Sequence, residues 1–281
     1  MRVRVWGCRG SLATPGRETL RYGGNTSCLE VRAEDGTMLV LDAGTGIRRL
    51  GLQLADEHPA VVHVLLTHLH FDHLEGLGFF APLRAAETEV QVWGPPSSVR
   101  SLRDRISRYL SPPLFPLEIS DFSARLSFHD VPEGEWELSG VRVSARHVVH
   151  LGPTVGYRVE CDGRSLAYLP DHEPALGVEL LPEHADWISG FGLAEGADVL
   201  LHDSQYTEDE YPSRIGWGHS CVRDAVEFAE AVGARRLVLF HHDPLHTDGD
   251  LEAIERRARQ LSSNGAVPPE LAYEGMELTV E

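Results

Sequence analysis

Lysine is absent: every one of the 25 basic residues in this 281-residue chain is arginine. The ε-amine chemistries therefore fall away, among them Schiff-base catalysis, a lysine nucleophile and the lysine of a P-loop. Cysteine is scarce too. Cys8, Cys28, Cys161 and Cys221 lie far apart, with no Cys-x-x-Cys pair and too low a density for a disulfide scaffold, so they read as reduced thiols. No uncharged apolar stretch approaches the roughly 18 residues that a membrane span needs. The opening run, Met1 to Trp6, alternates like a strand and has no apolar signal-peptide centre, so the expectation is a cytoplasmic protein without a membrane partner. Asparagine occurs only at Asn25 and Asn264, which would suit a heat-adapted source, although the missing lysine runs against that pattern. Positive charge is in deficit. With 43 acids the formal net charge is −18, which disfavours holding long nucleic acid or acidic lipid by a general field and leaves only locally positive pockets.

What is present is enough for a full core, since 42% of residues are apolar and a chain near this length buries roughly three quarters of its extended surface. Wholesale disorder is excluded. The 15 histidines outnumber phenylalanine and tryptophan together, and imidazole is the commonest protein metal ligand. Metal comes first among the candidate cofactors.

Short β-like runs are expected at Val3 to Trp6, Cys28 to Arg32, Met38 to Leu41, Val61 to Leu66, Val90 to Trp93, Val141 to Ala145, Val155 to Cys161, Ser165 to Leu169, Val199 to Leu201 and Leu237 to Phe240. Helical spacing marks Thr45 to Glu57, Ser97 to Leu110, Ser220 to Val232 and Asp250 to Ser262, with Ser97 and Asp250 as candidate caps. Strands thus form a meander first and alternate with helices later, which predicts an α/β protein whose helices cover sheets. One domain over residues 1–281 is expected. Loop insertions are read near 95–135, around the proline-rich Ser111 to Pro116, and at 172–196; no internal repeat is visible.

The decisive segment is Thr67-His68-Leu69-His70-Phe71-Asp72-His73, directly after the apolar run Val61 to Leu66. In extended chain His68 and His70 point the same way, while Asp72 and His73 turn back at a helix start, so one segment can serve two adjacent metals. Such density of ligands is rare by chance even here.

With this cluster the chain resembles the metallo-β-lactamase-fold hydrolases, nearest the ribonuclease Z-like and small phosphodiesterase branches. Other matching motifs are Gly7-Cys8-Arg9-Gly10-Ser11, Arg21 to Cys28, Asp42-Ala43-Gly44-Thr45-Gly46, His150 with Gly156-Tyr157-Arg158, Tyr168-Leu169-Pro170-Asp171, Gly218-His219-Ser220 and Phe240 to Pro244. The resemblance implies a four-layer αββα sandwich with two divalent ions at one edge, zinc by preference, with manganese or iron as the alternatives. It places His68, His70 and His150 on the first ion, Asp72, His73 and His241 on the second, and Asp171 between them. Imidazole and carboxylate donors suit that pair independently.

Several assignments rest on choices. His147 competes with His150, and the distance to Gly156-Tyr157-Arg158 favours His150. His241 and His242 are adjacent at a strand end and should face opposite ways; His241 is preferred, leaving His242 to meet substrate or brace the site and Asp243 to orient an imidazole. His172, His184, His202 and His246 read as ordinary histidines. Asp42 is either a turn residue capping the following helix or, by the resemblance, an aspartate bracing the ligand loop. The glycine pairs Gly7/Gly10 and Gly23/Gly24 could cradle phosphate but are more simply turns. Asn25 joins the candidates for substrate contact. Without lysine, a phosphate clamp must use arginine, and Arg9, Arg21 and Arg158 stand in the motifs.

The chemistry implied is hydrolysis of a phosphodiester through a metal-bridging hydroxide, with Asp72, Asp171 and His219 as the catalytic set. His219 would contact phosphate or protonate the leaving oxygen, unless it merely opens a helix that Ser220 caps. Transfer-RNA processing members of that branch carry a basic arm between the third histidine and the bridging aspartate. Here His150 and Asp171 are 21 residues apart. That spacing and the net charge predict a small-molecule phosphodiester, such as a cyclic nucleotide, and make long nucleic acid unfavoured. The alternatives are a thioester, lactone or β-lactam hydrolase and a metal-dependent binding protein without turnover; a homo-oligomer is left open.

Overall fold

A computed structural model of the chain describes residues 1–132, 134–174, 176–178, 180, 187–262 and 269–280. Two seven-stranded sheets face each other. The first has the order β14-β1-β2-β3-β4-β5-β6, from β1 (Arg2–Gly7), β2 (Cys28–Arg32), β3 (Met38–Leu41), β4 (Val61–Leu65), β5 (Glu89–Gly94), β6 (Arg125–Asp130) and β14 (Glu277–Thr279). The second has the order β13-β12-β11-β10-β9-β8-β7, from β7 (Gly134–Leu138), β8 (Val141–His147), β9 (Val155–Cys161), β10 (Arg164–Leu169), β11 (Val199–Asp203), β12 (Leu237–Phe240) and β13 (Glu270–Leu271). Each sheet is half meander and half crossover. β1–β2–β3 and β7–β8–β9–β10 pair antiparallel, whereas β3–β4–β5–β6 and β10–β11–β12–β13 pair parallel.

The central strands are buried on both faces and read as unbroken apolar runs, as in Met38–Leu41 and Leu237–Phe240. One face of each packs into a shared inner layer that includes Leu39, Leu41, Leu65, Tyr157, Leu201 and Phe240. The outer face of the first sheet meets α1 (Ile47–Glu57) and α3 (Leu102–Ser107). The outer face of the second meets α4 (Phe191–Ala194), α5 (Val222–Ala231) and α6 (Asp248–Leu261). Helix α1 buries Ile47, Leu50, Gly51 and Leu54, spacing that puts one stripe on the sheet. The result is the αββα sandwich.

Several local expectations shift. Ser101, not Ser97, caps α3 through Asp104 N–H, and Thr247 caps α6 with Asp250 closing a capping box. Cys221 is the N-cap of α5 and makes no side-chain cap bond; Ser220 instead donates to His172 O, so it is not the cap. The stretch near 95–135 is more than an insertion, because it supplies α3 and the edge strand β6, and Phe115 from its proline-rich segment is buried under α3. At 172–196 the first two residues, His172 and Glu173, are fully buried. Residues 181–186, including His184, lie outside the described residues. Among the described residues no helix is long and apolar enough to cross a membrane, and all four cysteines are free and buried.

Candidate metal centre

The chemistry-bearing residues collect at the carboxyl ends of the parallel strands, where open α/β sheets leave a crevice. Asp42 follows β3, the His68–His73 segment follows β4, Asp171 follows β10, Asp203 ends β11 and His241 follows β12. The turn after β4 runs into α2 (Phe71–Leu74), which brings Asp72 and His73 back beside the strand end. His150 comes from the loop between β8 and β9.

Two donor sets result. His68, His70 and His150 converge on one side, and Asp72, His73, Asp171 and His241 on the other, with the donor atoms of each set within 4.8 Å of one another. His70 Nδ1 is 3.2 Å from His150 Nε2, and His73 Nε2 is 3.3 Å from His241 Nε2. Asp171 lies between the sets: Oδ1 is 3.6 Å from His150 Nε2 and 3.4 Å from His241 Nε2, and Oδ2 is 3.0 Å from His73 Nε2. His147 is outside, with Nδ1 facing Thr154 O.

The imidazoles are aimed by their other nitrogens. His73 Nδ1 donates to Asp42 (2.8 Å), His150 Nδ1 to Gly218 O (2.8 Å) and His241 Nδ1 to Gln205 Oε1 (3.0 Å). His68 Nδ1 is 3.1 Å from the Thr67 hydroxyl, which in turn donates to Asp42. Asp42 also accepts from Thr67 N–H (2.7 Å) and Tyr168 O–H (3.0 Å). It caps no helix, since Gly46 stands at the start of α1, so of its two readings the geometry selects the brace. Asp72 is held by Ser11 N–H at 2.7 Å. His241 adopts φ +63°, and a Cβ on Gly10 would sit 2.3 Å from its Nδ1, so only glycine leaves that ring its place.

Electrostatics show what the sets lack. Burial alone would neutralise His73, yet Asp171, Asp72 and Asp42 push it well above the ordinary histidine value. Against the same burial, Asp171 and Asp72 raise His241 to about 9. Asp171, which burial would raise, is instead held well below the carboxylate range by His241, His73 and His68. The buried acids demand positive charge, and protons on histidine supply it where cations would. Burial, reinforced by His73, drives His68 far down, leaving a neutral ring whose Nε2 has no hydrogen-bond partner. Unpartnered His68 Nε2, a carboxylate shared by two sets and imidazole donors at these spacings fit divalent cations.

Beside the sets stands a pair that the sequence reading half saw. His219 Nδ1 donates to Asp203 Oδ2 at 2.7 Å, and its ring stacks on His241 with centroids 5.0 Å apart. Asp203 was missed, as were Gln205 and Glu173. The signal was available, because His202-Asp203-Ser204-Gln205 follows an apolar strand just as Asp42 and Asp171 do.

Other candidates are placed elsewhere. Arg9 is fully buried and donates to Gly23 O, Asp243 O and His246 O, so it ties loops together and clamps no phosphate. Arg158 binds Glu160, Leu193 O and Glu195 O, and Arg21 pairs with Glu252 on α6. Asn25 donates twice to Glu274. His242 turns away from the donor sets, as its neighbour's direction requires, and donates to Ala272 O; burial lowers it to about 3. Asp243 accepts from Gln205 Nε2 at 3.3 Å, so it acts on His241 only through Gln205. Gly10 N–H binds His242 O and Gly23 N–H binds Thr19 O, so these N–H groups are not free to cradle phosphate.

The fold and the donor sets define a metal-dependent hydrolase of the αββα class. The chain belongs to the beta-lactamase superfamily: the family model described as beta-lactamase superfamily domain matches residues 37–242. A ribonuclease Z of Myxococcus xanthus is 28% identical, over 92% of this chain and 92% of its own. The short form of human tRNase Z superposes with TM-score 0.68 at 22% identity, covering 100% of both chains. Zn2+-bound PqqB of Methylobacterium extorquens superposes with TM-score 0.71 at 19% identity, covering 99% of this chain and 100% of its own.

The curated relatives overturn one expectation. A small-molecule partner with long nucleic acid unfavoured does not stand against full-length relatives that are ribonucleases by name. Its premise about the chain is intact, since only the β9–β10 hairpin lies between His150 and Asp171. The error was to let missing long-range capture decide which molecule enters the site.

Proposed function

We propose that this chain is a dinuclear metal-dependent phosphodiesterase that hydrolyses RNA, with zinc as its metal and the cytoplasm as its compartment. The observation that carries the reading is Asp171 shared between two donor sets, with the His219–Asp203 pair alongside. His68, His70, His150 and Asp171 would hold one ion; Asp72, His73, His241 and Asp171 would hold the other. When bound, such ions supply Lewis acidity, an acidified water and neutralisation of charge on the phosphoryl oxygens. His219 has its Nδ1–H committed to Asp203, and its Nε2 makes no hydrogen bond among the described residues. Donation from Nε2 uses the doubly protonated ring, whose positive charge the Asp203 carboxylate offsets: the Nε2 proton passes to the departing oxygen as the bond to phosphorus breaks, and the ring returns to its Nδ1–H tautomer. Asp203 keeps that tautomer in place, accepting also from the backbone of His172, Gln205 and Ser220. Buried Asp42 and Gln205 keep the ligand rings from turning.

The test is turnover by the zinc- and manganese-loaded protein on a panel: a single-stranded oligoribonucleotide, a precursor tRNA, 2′,3′-cyclic AMP, an acyl thioester and nitrocefin. Cleavage of either RNA supports the proposal. Carbonyl turnover alone, turnover of the cyclic nucleotide alone, or metal binding without hydrolysis would each overturn it.

A further inference from the structure

Four large apolar side chains stand exposed, each next in the chain to a residue of the centre or its supports. Leu12 follows Ser11, Phe71 lies between His70 and Asp72, Leu151 follows His150, and Trp217 precedes Gly218. The two aromatics are 62% (Phe71) and 56% (Trp217) exposed. Single exposed apolar residues need no explanation, but four that each adjoin in the chain a residue of one polar site call for one.

Trp217 is displayed on a fixed frame. The flanking glycines take φ +83° (Gly216) and +87° (Gly218), conformations that side chains resist. Both donate backbone N–H to the carboxylate of Glu173, Gly216 at 2.9 Å and Gly218 at 2.8 Å, and Tyr211 O–H donates to it at 2.8 Å. Glu173 is fully buried, two residues beyond Asp171. Trp217 N–H is bonded to Arg214 O. Gly218 O accepts from His150 Nδ1, and a Cβ there would meet that nitrogen at 2.5 Å. The frame that orients His150 therefore also fixes the backbone that carries Trp217. Phe71 is steadied by an edge contact with Tyr109, centroids 5.9 Å apart.

We infer that Trp217 and Phe71 are stacking platforms for the nucleobases flanking the scissile phosphodiester, with Glu173 as the positioning residue that holds the first of them. This rests on the phosphodiesterase reading and names how that site takes its substrate. A chain with net charge −18, no lysine and three motif arginines engaged in internal bonds has little to offer a phosphate backbone. Stacking needs no charge and tolerates every base; it is worth ~5- to 100-fold in affinity per base. A second copy of the chain or a lipid surface would cover the rim without presenting a bond to the donor sets.

The experiment compares two diesters with one leaving group, uridine 5′-(p-nitrophenyl phosphate) and methyl p-nitrophenyl phosphate, on the metal-loaded protein and on Trp217→Ala and Trp217→Phe, with metal content measured for each. Trp217→Ala is expected to raise KM for the uridine ester ~10-fold more than for the methyl ester, and Trp217→Phe to recover most of it. Equal losses on both esters, or losses that follow metal content, would make Trp217 a structural residue and overturn the inference. If the unsubstituted protein cuts neither ester, the phosphodiesterase reading is what fails. Fluorescence anisotropy with a labelled octauridylate then decides the platform by itself: weaker binding by Trp217→Ala upholds it, and unchanged binding or none by the parent protein sinks it.

Discussion

Replacing Asp42 by asparagine removes one charge from a site where a single carboxylate aims a ring in each donor set. The backbone at Asp42 has φ +62°, a region that asparagine occupies readily, so the substitution leaves the turn undisturbed. An amide oxygen can keep the Thr67 N–H and O–H bonds. Its NH2 then faces His73 Nδ1 and Tyr168 Oη, where the carboxylate had accepted at 2.8 Å and 3.0 Å. The amide cannot accept there, so His73 must move its proton to Nε2, the nitrogen that points at Asp72, Asp171 and His241. A protonated Nε2 binds no cation. Two hydrogen bonds to a charged group, each about 1.5–3 kcal/mol, are replaced by poorer ones, and the expected stability loss is about 2–4 kcal/mol. Metal affinity should fall at least ~10- to 100-fold, the usual cost of removing a partner that orients a ligand. Chelator competition at pH 7.5, with urea midpoints measured on the same samples, gives both numbers. If Asp42→Asn binds two zinc ions as tightly as the parent chain, the brace assigned to Asp42 is wrong.

The centre yields further outcomes. Asp171→Ala should lose or misplace metal, since its carboxylate serves both sets, and elemental analysis showing two ions per chain with normal turnover would refute the shared role. His219→Ala should keep both ions and lower kcat ~10²- to 10⁴-fold; an unchanged rate removes it from proton transfer. Gly10→Ala drives a Cβ into the His241 ring and should weaken metal binding without unfolding the sheets, read as lower zinc content with a preserved far-ultraviolet dichroism spectrum. Away from the centre, burial, with Glu227 and Glu173 nearby, raises Asp224 to about 6. An acid whose folded value lies above its unfolded one favours the native state only while protonated, so this group lowers stability as pH rises from about 4 to about 6 and holds that penalty above. After allowance for its partial exposure, Asp224→Asn should stabilise by about 1–2 kcal/mol at pH 7.5 and by nothing at pH 4, measured as the difference in urea unfolding. An equal gain at both pH values would refute the cause.

Met38–Leu41 and Leu237–Phe240 were legible as unbroken apolar runs buried on both faces, and Cys28–Arg32 and Val155–Cys161 as runs with apolar residues on alternate positions; all four have the expected ends. The edge strands β6, β7, β13 and β14 were not. Gly134–Leu138 reads Gly-Glu-Trp-Glu-Leu, with acids on the solvent face and only Trp136 and Leu138 inward, and β13 is two residues long. Such segments are strands because a neighbour offers them hydrogen bonds, which no local pattern records. At the site the crowded His68–His73 segment was readable from spacing alone. Asp203 was visible as a strand-end acid, but its partner, a histidine 16 residues on, is set only by folding; Glu173 was not readable, since it acts through glycines more than 40 residues away.

Net charge misled for a related reason. It counts Asp42, Asp72, Asp171 and Asp203 as though they faced solvent, yet all four are buried at the centre. Two divalent ions would cancel four of the 18 excess charges at the point where a phosphodiester must arrive. Ion pairs such as Glu208 with Arg223 and Arg257, or Glu270 with Arg236, are already inside that net figure and leave the remainder spread over the surface. A polyanion approaching from a distance meets a repulsive sum, screened beyond about 8 Å at physiological ionic strength. At the mouth it meets cations, neutral imidazole and two aromatic faces. The field thus slows encounter and leaves the bound state to local contacts, so activity on RNA should rise as salt is added from low ionic strength, opposite to the salt response of a basic nuclease. Rates on an oligoribonucleotide that fall steadily between 20 and 200 mM sodium chloride would show that a basic surface, and not the rim and the ions, captures the substrate.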